Sequence, residues 1–464
     1  MSHRDIHIDF NNAIDPQQVS GVSDEALAAV GAAWLEVHRG LHAMHEMGQV
    51  QFMNLPYLET SLQDLEERAE TLRQKFDVMV VLGIGGSGLG AKAIHEACYG
   101  PFLAGAKLPG PKGLYVLDTL DPDYLSRFFD HLEPARTVFN IVSKSGNTVE
   151  TMAQFMIIHD YLEKKLGGHR FRQHIVMTTD AKEGTLRKVC QEEGFESFDI
   201  LPGVGGRFSI LSPVGLLPAA FLGIPIGELA EGAVHMDKRC RLADLWTNPA
   251  AMLAAVIYLL SEQQSRKQLV VFNYSERLMR AVEWYSQLFA ESLGKKLNLQ
   301  GEEIRAGITP ISASGPRDQH SQMQLYVEGP KDKMVMFWQQ EKFDTDIKVP
   351  PIYPEKENLN YLGGKKISDI LYAEILATEQ ALREAGVPSF KLSIFGSDPY
   401  TLGQLFFLME IATVYLGGLF NVNPYNQPGV EQGKKYLYGK LGREGFADFG
   451  GVLARRLKEK RYVV

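Results

Sequence analysis

The sequence predicts an α/β protein built from two three-layer α-β-α units with parallel central sheets, extended by helices at both ends. Two observations carry this. From residue 77 onward, short and nearly unbroken apolar runs alternate with stretches of helical periodicity, the pattern of strands buried on both faces of a parallel sheet. At 464 residues the chain is also too long for one ordinary core, so the alternation divides between two units.

Residues from about Asp24 to Leu72 have helical periodicity without a clear strand, giving an N-terminal helical extension over residues 1–72. The first unit, residues 73–230, takes strands at Asp77–Leu82, Gly113–Leu117, Thr137–Val142 and His174–Thr179, with helices at Leu89–Cys98, Asp123–Leu132 and Val149–Leu166. It ends near Pro225-Ile226-Gly227. The second unit, residues 231–424, opens with a helix at about Asn248–Gln263 and a strand at Gln268–Tyr274, then a helix from Glu276 to Leu293. Further strands are expected at Gln322–Val327, Met334–Trp338 and Lys391–Phe395, and helices at Ile367–Ala385 and Leu402–Leu419. Residues 425–464 form a C-terminal helical segment. The likeness of the two units points to a duplication, without enough residue identity to demonstrate one.

Composition excludes several classes. A net charge of −8 argues against a general nucleic-acid binder. The basic run Arg455, Arg456, Lys458, Lys460 and Arg461 is short and reads as a solvated helix end. Cys98, Cys190 and Cys240 are widely spaced and form no CxxC pair, which suits a reducing compartment and not a disulfide or zinc framework. The N-terminus, Met1-Ser2-His3-Arg4-Asp5, leads into polar residues with no apolar signal core. The longest apolar runs are interrupted, Val214–Gly227 by two prolines and Phe406–Phe420 by Glu410, so a soluble cytoplasmic protein with no membrane partner is expected.

Six motifs concentrate chemistry. Gly83-Ile84-Gly85-Gly86-Ser87-Gly88-Leu89-Gly90 follows an apolar strand and opens a helix, where glycines let backbone amides approach an anion. Gly83, Gly85 and Gly88 also satisfy the dinucleotide pattern, and Asp118 at the end of the next strand is positioned as a ribose ligand, so a nicotinamide-dependent dehydrogenase is a rival reading. Ser143-Lys144-Ser145-Gly146-Asn147-Thr148 gathers hydroxyls, an ammonium and free amides in one turn at a strand's carboxyl end, which favours a phosphate monoester over a simple helix cap. In Gly205-Gly206-Arg207-Phe208-Ser209 an arginine flanked by glycines is free either to meet an oxyanion or to salt-bridge at the surface.

On the helix after Glu276, Leu278, Val282, Tyr285 and Phe289 form a core stripe, while Gln287 and Glu291 share another face at i and i+4. That face is either solvated or cleft-lining, and Trp284, which projects toward it, favours a covered one. The loop Gly315–Ser321 carries His320, a titratable group or an exposed loop histidine. Lys434 follows Tyr425-Asn426-Gln427-Pro428-Gly429-Val430-Glu431 and serves either a site or a solvated helix. His38, His42 and His45 have helical spacing, but no nearby Cys or carboxylate constellation supports a metal.

Together these motifs resemble the glucose-6-phosphate isomerase family, in order, from the Gly83 loop to Lys434. The Tyr425–Lys434 and Gly205–Ser209 segments are the most specific, and the Gly83 loop is shared more widely with sugar-isomerase (SIS) domains. The resemblance implies two SIS-type, flavodoxin-like domains and a homodimer with shared active sites. The reaction implied is reversible isomerisation of glucose 6-phosphate to fructose 6-phosphate through ring opening and a cis-enediol(ate), in glycolysis and gluconeogenesis, without cofactor or metal. By the same resemblance Glu291 is the base, Arg207 steadies the enediolate, His320 opens the ring with help from Lys434, and Glu150 orients that histidine. Ser143, Lys144, Ser145 and Thr148, with Gly86 and Ser87 nearby, hold the phosphate, and Gln287 and Gln427 hold the sugar. A phosphosugar-sensing protein without catalysis would need the phosphate loops but not Glu291, Arg207, His320 and Lys434 together. Pro202 departs from the family pattern, the Ser-Lys-Ser loop has the bacterial form, and the chain is shorter than the animal enzymes; none of these removes a proposed catalytic group.

Overall fold

The computed structural model describes residues 4–14, 20–101 and 113–458. Met1–His3, Lys460 and Arg461 of the segments named above lie outside them. The strands are β1 (His7–Asp9), β2 (Val78–Leu82), β3 (Gly113–Leu117), β4 (Thr137–Val142), β5 (Ile175–Asp180), β6 (Glu196–Ile200), β7 (Gln268–Asn273), β8 (Lys295–Leu297), β9 (Glu303–Ala306), β10 (Thr309–Ser314), β11 (Lys333–Gln340) and β12 (Ser389–Ile394).

The first sheet has the order β3-β2-β4-β5-β6, parallel throughout. This is a doubly wound arrangement whose strand order reverses between β2 and β4, and ligands bind outside the carboxyl ends of the strands at such a point. The second sheet runs β10-β7-β11-β12-β1. Its first four strands are parallel and repeat the order of the first sheet, while β1 pairs antiparallel with β12 and fills the fifth place. The duplication read from the sequence therefore has a topological counterpart. β8 and β9 form a separate antiparallel pair.

Strand periodicity explains where the core sits. Along β2, Met79 and Val81 join one large apolar cluster, while Val80 and Leu82 join a second cluster on the opposite face. Along β7, Leu269 and Val271 point into that same large cluster, and Val270 and Phe272 into a third. The large cluster thus lies between the two sheets. It is filled by the helices Gly86–Tyr99, Pro213–Phe221, Ile226–Cys240, Pro249–Gln264, Met279–Leu293 and Pro399–Leu419. The last of these begins with Asp398 accepting from the Thr401 N–H and Pro399 in its first turn, a strong start signal. By length and composition it could cross a membrane, but 89% of its apolar stretch is buried inside the fold. It packs closely against the helix Ile226–Cys240: a Cβ on Gly232 would lie 1.9 Å from the Tyr400 carbonyl oxygen, and one on Gly403 1.9 Å from that of Leu229.

The structure corrects four expectations. The N-terminal segment is not helix alone: the helices Asp24–Glu46 and Glu59–Lys75 are preceded by β1. The boundary placed at 230/231 falls inside the helix Ile226–Cys240. Gln322–Val327 is not a strand but the helix Met323–Glu328, in the crossover that the parallel placement of β10 and β11 on β7 requires. Strands β6 and β10 were not anticipated. Both are edge strands, where polar residues and a proline are tolerated, as Glu196, Asp199 and Pro310 show. The C-terminal segment forms two helices, Glu431–Lys440 and Ala447–Lys458, packed on each other.

Candidate active site

The loops after β2 and β4 flank the reversal of strand order in the first sheet, so both are turned toward one crevice. In the first loop Gly85 has φ 56° and opens the helix Gly86–Tyr99. A Cβ on Gly86 would lie 2.3 Å from the Gly206 carbonyl oxygen, so this glycine lets the turn Gly206–Phe208 press against the loop. In the second loop Ser143 is buried beneath the chain, where its Oγ lies 3.1 Å from Thr148 Oγ1 and accepts from the Gly146 N–H at 3.1 Å. Lys144 Nζ donates to the Val204 carbonyl at 2.9 Å, and burial lowers its pKa. Thr148 stands at the N-cap of the helix Val149–Leu166 without capping it, leaving first-turn amides for an anion.

Arg207 is 3% exposed, and its guanidinium is held on every side. Nε donates to Ser292 Oγ at 2.8 Å, Nη1 to Gln427 Oε1 at 3.1 Å, and Nη2 to the Asn426 carbonyl at 3.1 Å and that of Pro424. Burial lowers its pKa, and the charge of Glu291 opposes that; arginine remains protonated. Glu291 lies in the last turn of the helix Met279–Leu293, with Oε2 3.6 Å from Arg207 Nη1 and accepting from Gln287 Nε2 at 3.3 Å. The i and i+4 relation read from the sequence is therefore a contact. Gln287 Oε1 is buried without a hydrogen-bond partner among the described residues. Trp284 does not line the cleft; it packs edge-on against Phe406 with ring centroids 5.1 Å apart.

These groups wall a cavity of about 730 Å³. Of the residues predicted from the sequence, Gly86, Ser87, Lys144, Ser145, Thr148, Arg207, Gln287, Glu291, Gln427 and Lys434 line it. Lys434 reaches it from the exposed helix Glu431–Lys440, with Nζ 2.7 Å from Glu431 Oε1. Three predicted residues are not on this wall. Ser143 lies under its loop, Glu150 sits half-buried in the first turn of its helix, and His320 is exposed on a turn near Glu374.

Sequence reasoning missed Asp180 and Glu183, which also face the cavity. Asp180 ends β5, and the strand-end rule alone pointed there. The Lys182 and Glu183 N–H groups hold its carboxyl below the usual range, against the effect of burial. Gln49 and Phe52 come from the N-terminal segment, which carries no motif.

The ribose ligand of the rival dinucleotide reading is engaged elsewhere, since Asp118 Oδ2 accepts from Lys92 Nζ at 2.6 Å. The histidines at helical spacing serve packing: His38 Nδ1 lies 2.8 Å from the Tyr415 hydroxyl, the His38 and His42 rings touch edge-on at 4.4 Å, and His45 Nε2 is 2.7 Å from Asn54 Oδ1. Among the described residues no group of three or more His, Cys, Asp or Glu side chains is arranged to hold a metal ion.

Two sheets wound alike, with the loops at the reversal of the first opening onto one polar cavity, define an α/β protein of the class that handles small phosphorylated ligands. Residues 67–439 match the phosphoglucose isomerase model, and the chain belongs to that family. A glucose-6-phosphate isomerase of Carboxydothermus hydrogenoformans is 41% identical, with 99% of each chain covered. One of Rubrobacter xylanophilus is 36% identical over 95% of this chain and 99% of its own. Among solved structures, a hypothetical protein from Thermus thermophilus superposes with a TM-score of 0.84 at 36% identity, covering 94% of this chain and 100% of that one. A glucose-6-phosphate isomerase from Chlamydia trachomatis shares the fold, with a TM-score of 0.83 at 21% identity over 99% of this chain and 93% of its own.

Proposed function

We propose that this cavity interconverts glucose 6-phosphate and fructose 6-phosphate, with Glu291 as the proton-transfer base. The observation that carries the reading is the Arg207–Glu291 pair, 3.6 Å apart and lining the same cavity as the hydroxyl-rich loop. Moving a carbonyl from C1 to C2 takes a proton from C2 and returns one to C1, and a single carboxylate between the two carbons serves both steps. The charge that builds on the enediolate oxygens falls to the guanidinium of Arg207, already oriented by its neighbours and needing no rearrangement. Lys144, Ser145, Thr148 and Ser87 receive the phosphate, while Ser143 shapes their loop. The partnerless Gln287 Oε1 and the amide of Gln427 address sugar hydroxyls.

Ring opening falls to His320 and Lys434. Because His320 is exposed and away from its own chain's cavity, the reading takes the histidine from a second copy, which makes the active unit a homodimer with shared sites. Glu150, half-buried in the first turn of its helix, receives that histidine at the rim. Two units, one around each five-stranded sheet, are taken as the two domains, with the break between them outside the helix Ile226–Cys240 and not at 230/231. Three free cysteines, Cys98, Cys190 and Cys240, support a cytoplasmic location.

The test is an NMR time course of EDTA-treated protein with glucose 6-phosphate in deuterated water and no added nucleotide. Fructose 6-phosphate appearing with deuterium at the exchanging carbon is the expected result. Binding without conversion overturns the reading in favour of a phosphosugar sensor.

A further inference from the structure

Lys295 is one of two lysines buried among the described residues, at 6% exposure, and it lies just after the helix that carries Glu291. A helix leaves its last carbonyls without internal partners and gathers partial negative charge at that end. Here two of those carbonyls have one partner. Lys295 Nζ donates to the Glu291 carbonyl at 2.6 Å and to the Ser292 carbonyl at 2.9 Å. Ser292 Oγ in turn accepts from Arg207 Nε at 2.8 Å. One ammonium therefore ties down the turn that bears the carboxylate and the hydroxyl that braces the guanidinium.

We infer that Lys295 is a positioning residue for the isomerisation, its ammonium fixing the last helical turn so that Glu291 and Arg207 keep their mutual geometry. The inference rests on the reading of Glu291 as the base. Lys295 is not itself among the residues that line the cavity, so it acts through these two residues.

The environment makes this lysine unusual. Burial, then the nearby Arg207 charge, push its ammonium down to about 8, against the attraction of the Glu291 carboxylate. Among the described residues, Arg207 and Glu291 are the charged groups that act on it. On the paired strand β9, Glu303 and Arg305 bond to each other at the surface, 2.8 Å apart. Loss of the proton leaves a neutral amine that donates more weakly to the two carbonyls and no longer opposes the negative helix end.

The test measures kcat and KM from about pH 6 to about pH 10 for the wild type, Lys295→Met and Lys295→Arg, with Glu291→Gln alongside. Lys295→Met is expected to lower kcat roughly 10- to 100-fold while KM shifts less than about twofold, because the geometry loosens and the phosphate cradle does not. Wild-type kcat is expected to fall as pH rises through about 8, and that alkaline limb to vanish in Lys295→Arg, whose charge persists. Unchanged kcat in Lys295→Met, or an alkaline limb retained in Lys295→Arg, overturns the inference. Should Lys295→Met not fold, NMR titration of 13C-lysine-labelled wild type decides. A Lys295 midpoint that tracks the fall in kcat supports positioning, and a kcat unchanged across that midpoint overturns it. Full turnover in Glu291→Gln removes the proposed base itself, whereas an inactive Glu291→Gln beside an unaffected Lys295→Met removes the positioning role alone.

Discussion

Glu291 and Arg207 divide the chemistry, and their substitutions separate binding from turnover. Glu291→Gln keeps the hydrogen bond to Gln287 but removes the base, so kcat should fall on the order of 10³-fold. Calorimetry with a non-isomerisable sugar phosphate should find the affinity nearly unchanged, because Lys144, Ser145 and Thr148 are untouched. Arg207→Lys cannot satisfy the four acceptors that the guanidinium reaches, and should cost roughly 10²- to 10³-fold in kcat by steady-state assay. Lys295 adds a pH signature. Its folded pKa is lowered to about 8 from 10.5, so the charged form opposes folding, fully below about 8, and that cost is relieved as pH climbs toward 10.5. In thermal melts the wild type should therefore gain on Lys295→Met between about pH 8 and about pH 10, while its activity falls. Most of these groups were legible because glycines, hydroxyls and a charge crowd short segments. Lys295 was not, because a lone lysine after a helix signals nothing until its burial is known.

The helices Ile226–Cys240 and Pro399–Leu419 approach so closely that each depends on a glycine of the other. Gly403→Ala forces a methyl into the Leu229 carbonyl and should destabilise the protein by about 1–3 kcal/mol in urea unfolding. An equivalent methyl at Gly206, where nothing lies within 4 Å, should cost far less. Strands β2, β4, β5, β7, β11 and β12 were legible as apolar runs, since residues buried on both faces leave little room for polar ones, and the edge strand β3 was legible because its own residues are apolar although Tyr115 is exposed. Edge strands β6 and β10 lack that constraint, and β1 has three residues, too few for any periodicity. The alternation Met323, Leu325, Val327 imitated a strand, but Met323 and Val327 pack together as i and i+4 on the third cluster while Leu325 is exposed.

At the level of the assembly, the exposed His320 and the half-buried Glu150 belong to different copies of one site in the proposed homodimer. Glu291→Gln and His320→Ala should each be inactive on cyclic substrate, with His320→Ala harmed less on an open-chain analogue. Mixed, denatured together and refolded, they should recover roughly a quarter of wild-type activity, since half the dimers carry one site with both native groups. No recovery would mean that the histidine acts within its own chain. The cavity was legible in outline because the Gly83, Ser143 and Tyr425 motifs end strands or open helices. That the histidine would come from a second copy followed from the family resemblance alone, because sequence order carries no sign of which copy a side chain serves.

The pairing of His7 with Ser393 sets an order on biosynthesis. Strands β2 to β6 are complete once residue 200 has left the ribosome, so the first sheet can assemble while the rest is being made. The second sheet waits longer: β1 precedes every strand of the first sheet in the chain, yet its docking edge does not exist until β12 emerges. A nascent chain thus carries a strand without a sheet while everything between β1 and β12 is made. Removing residues 4–14 would spare the first half of the fold and leave β12 as a bare edge, open to pairing with another molecule.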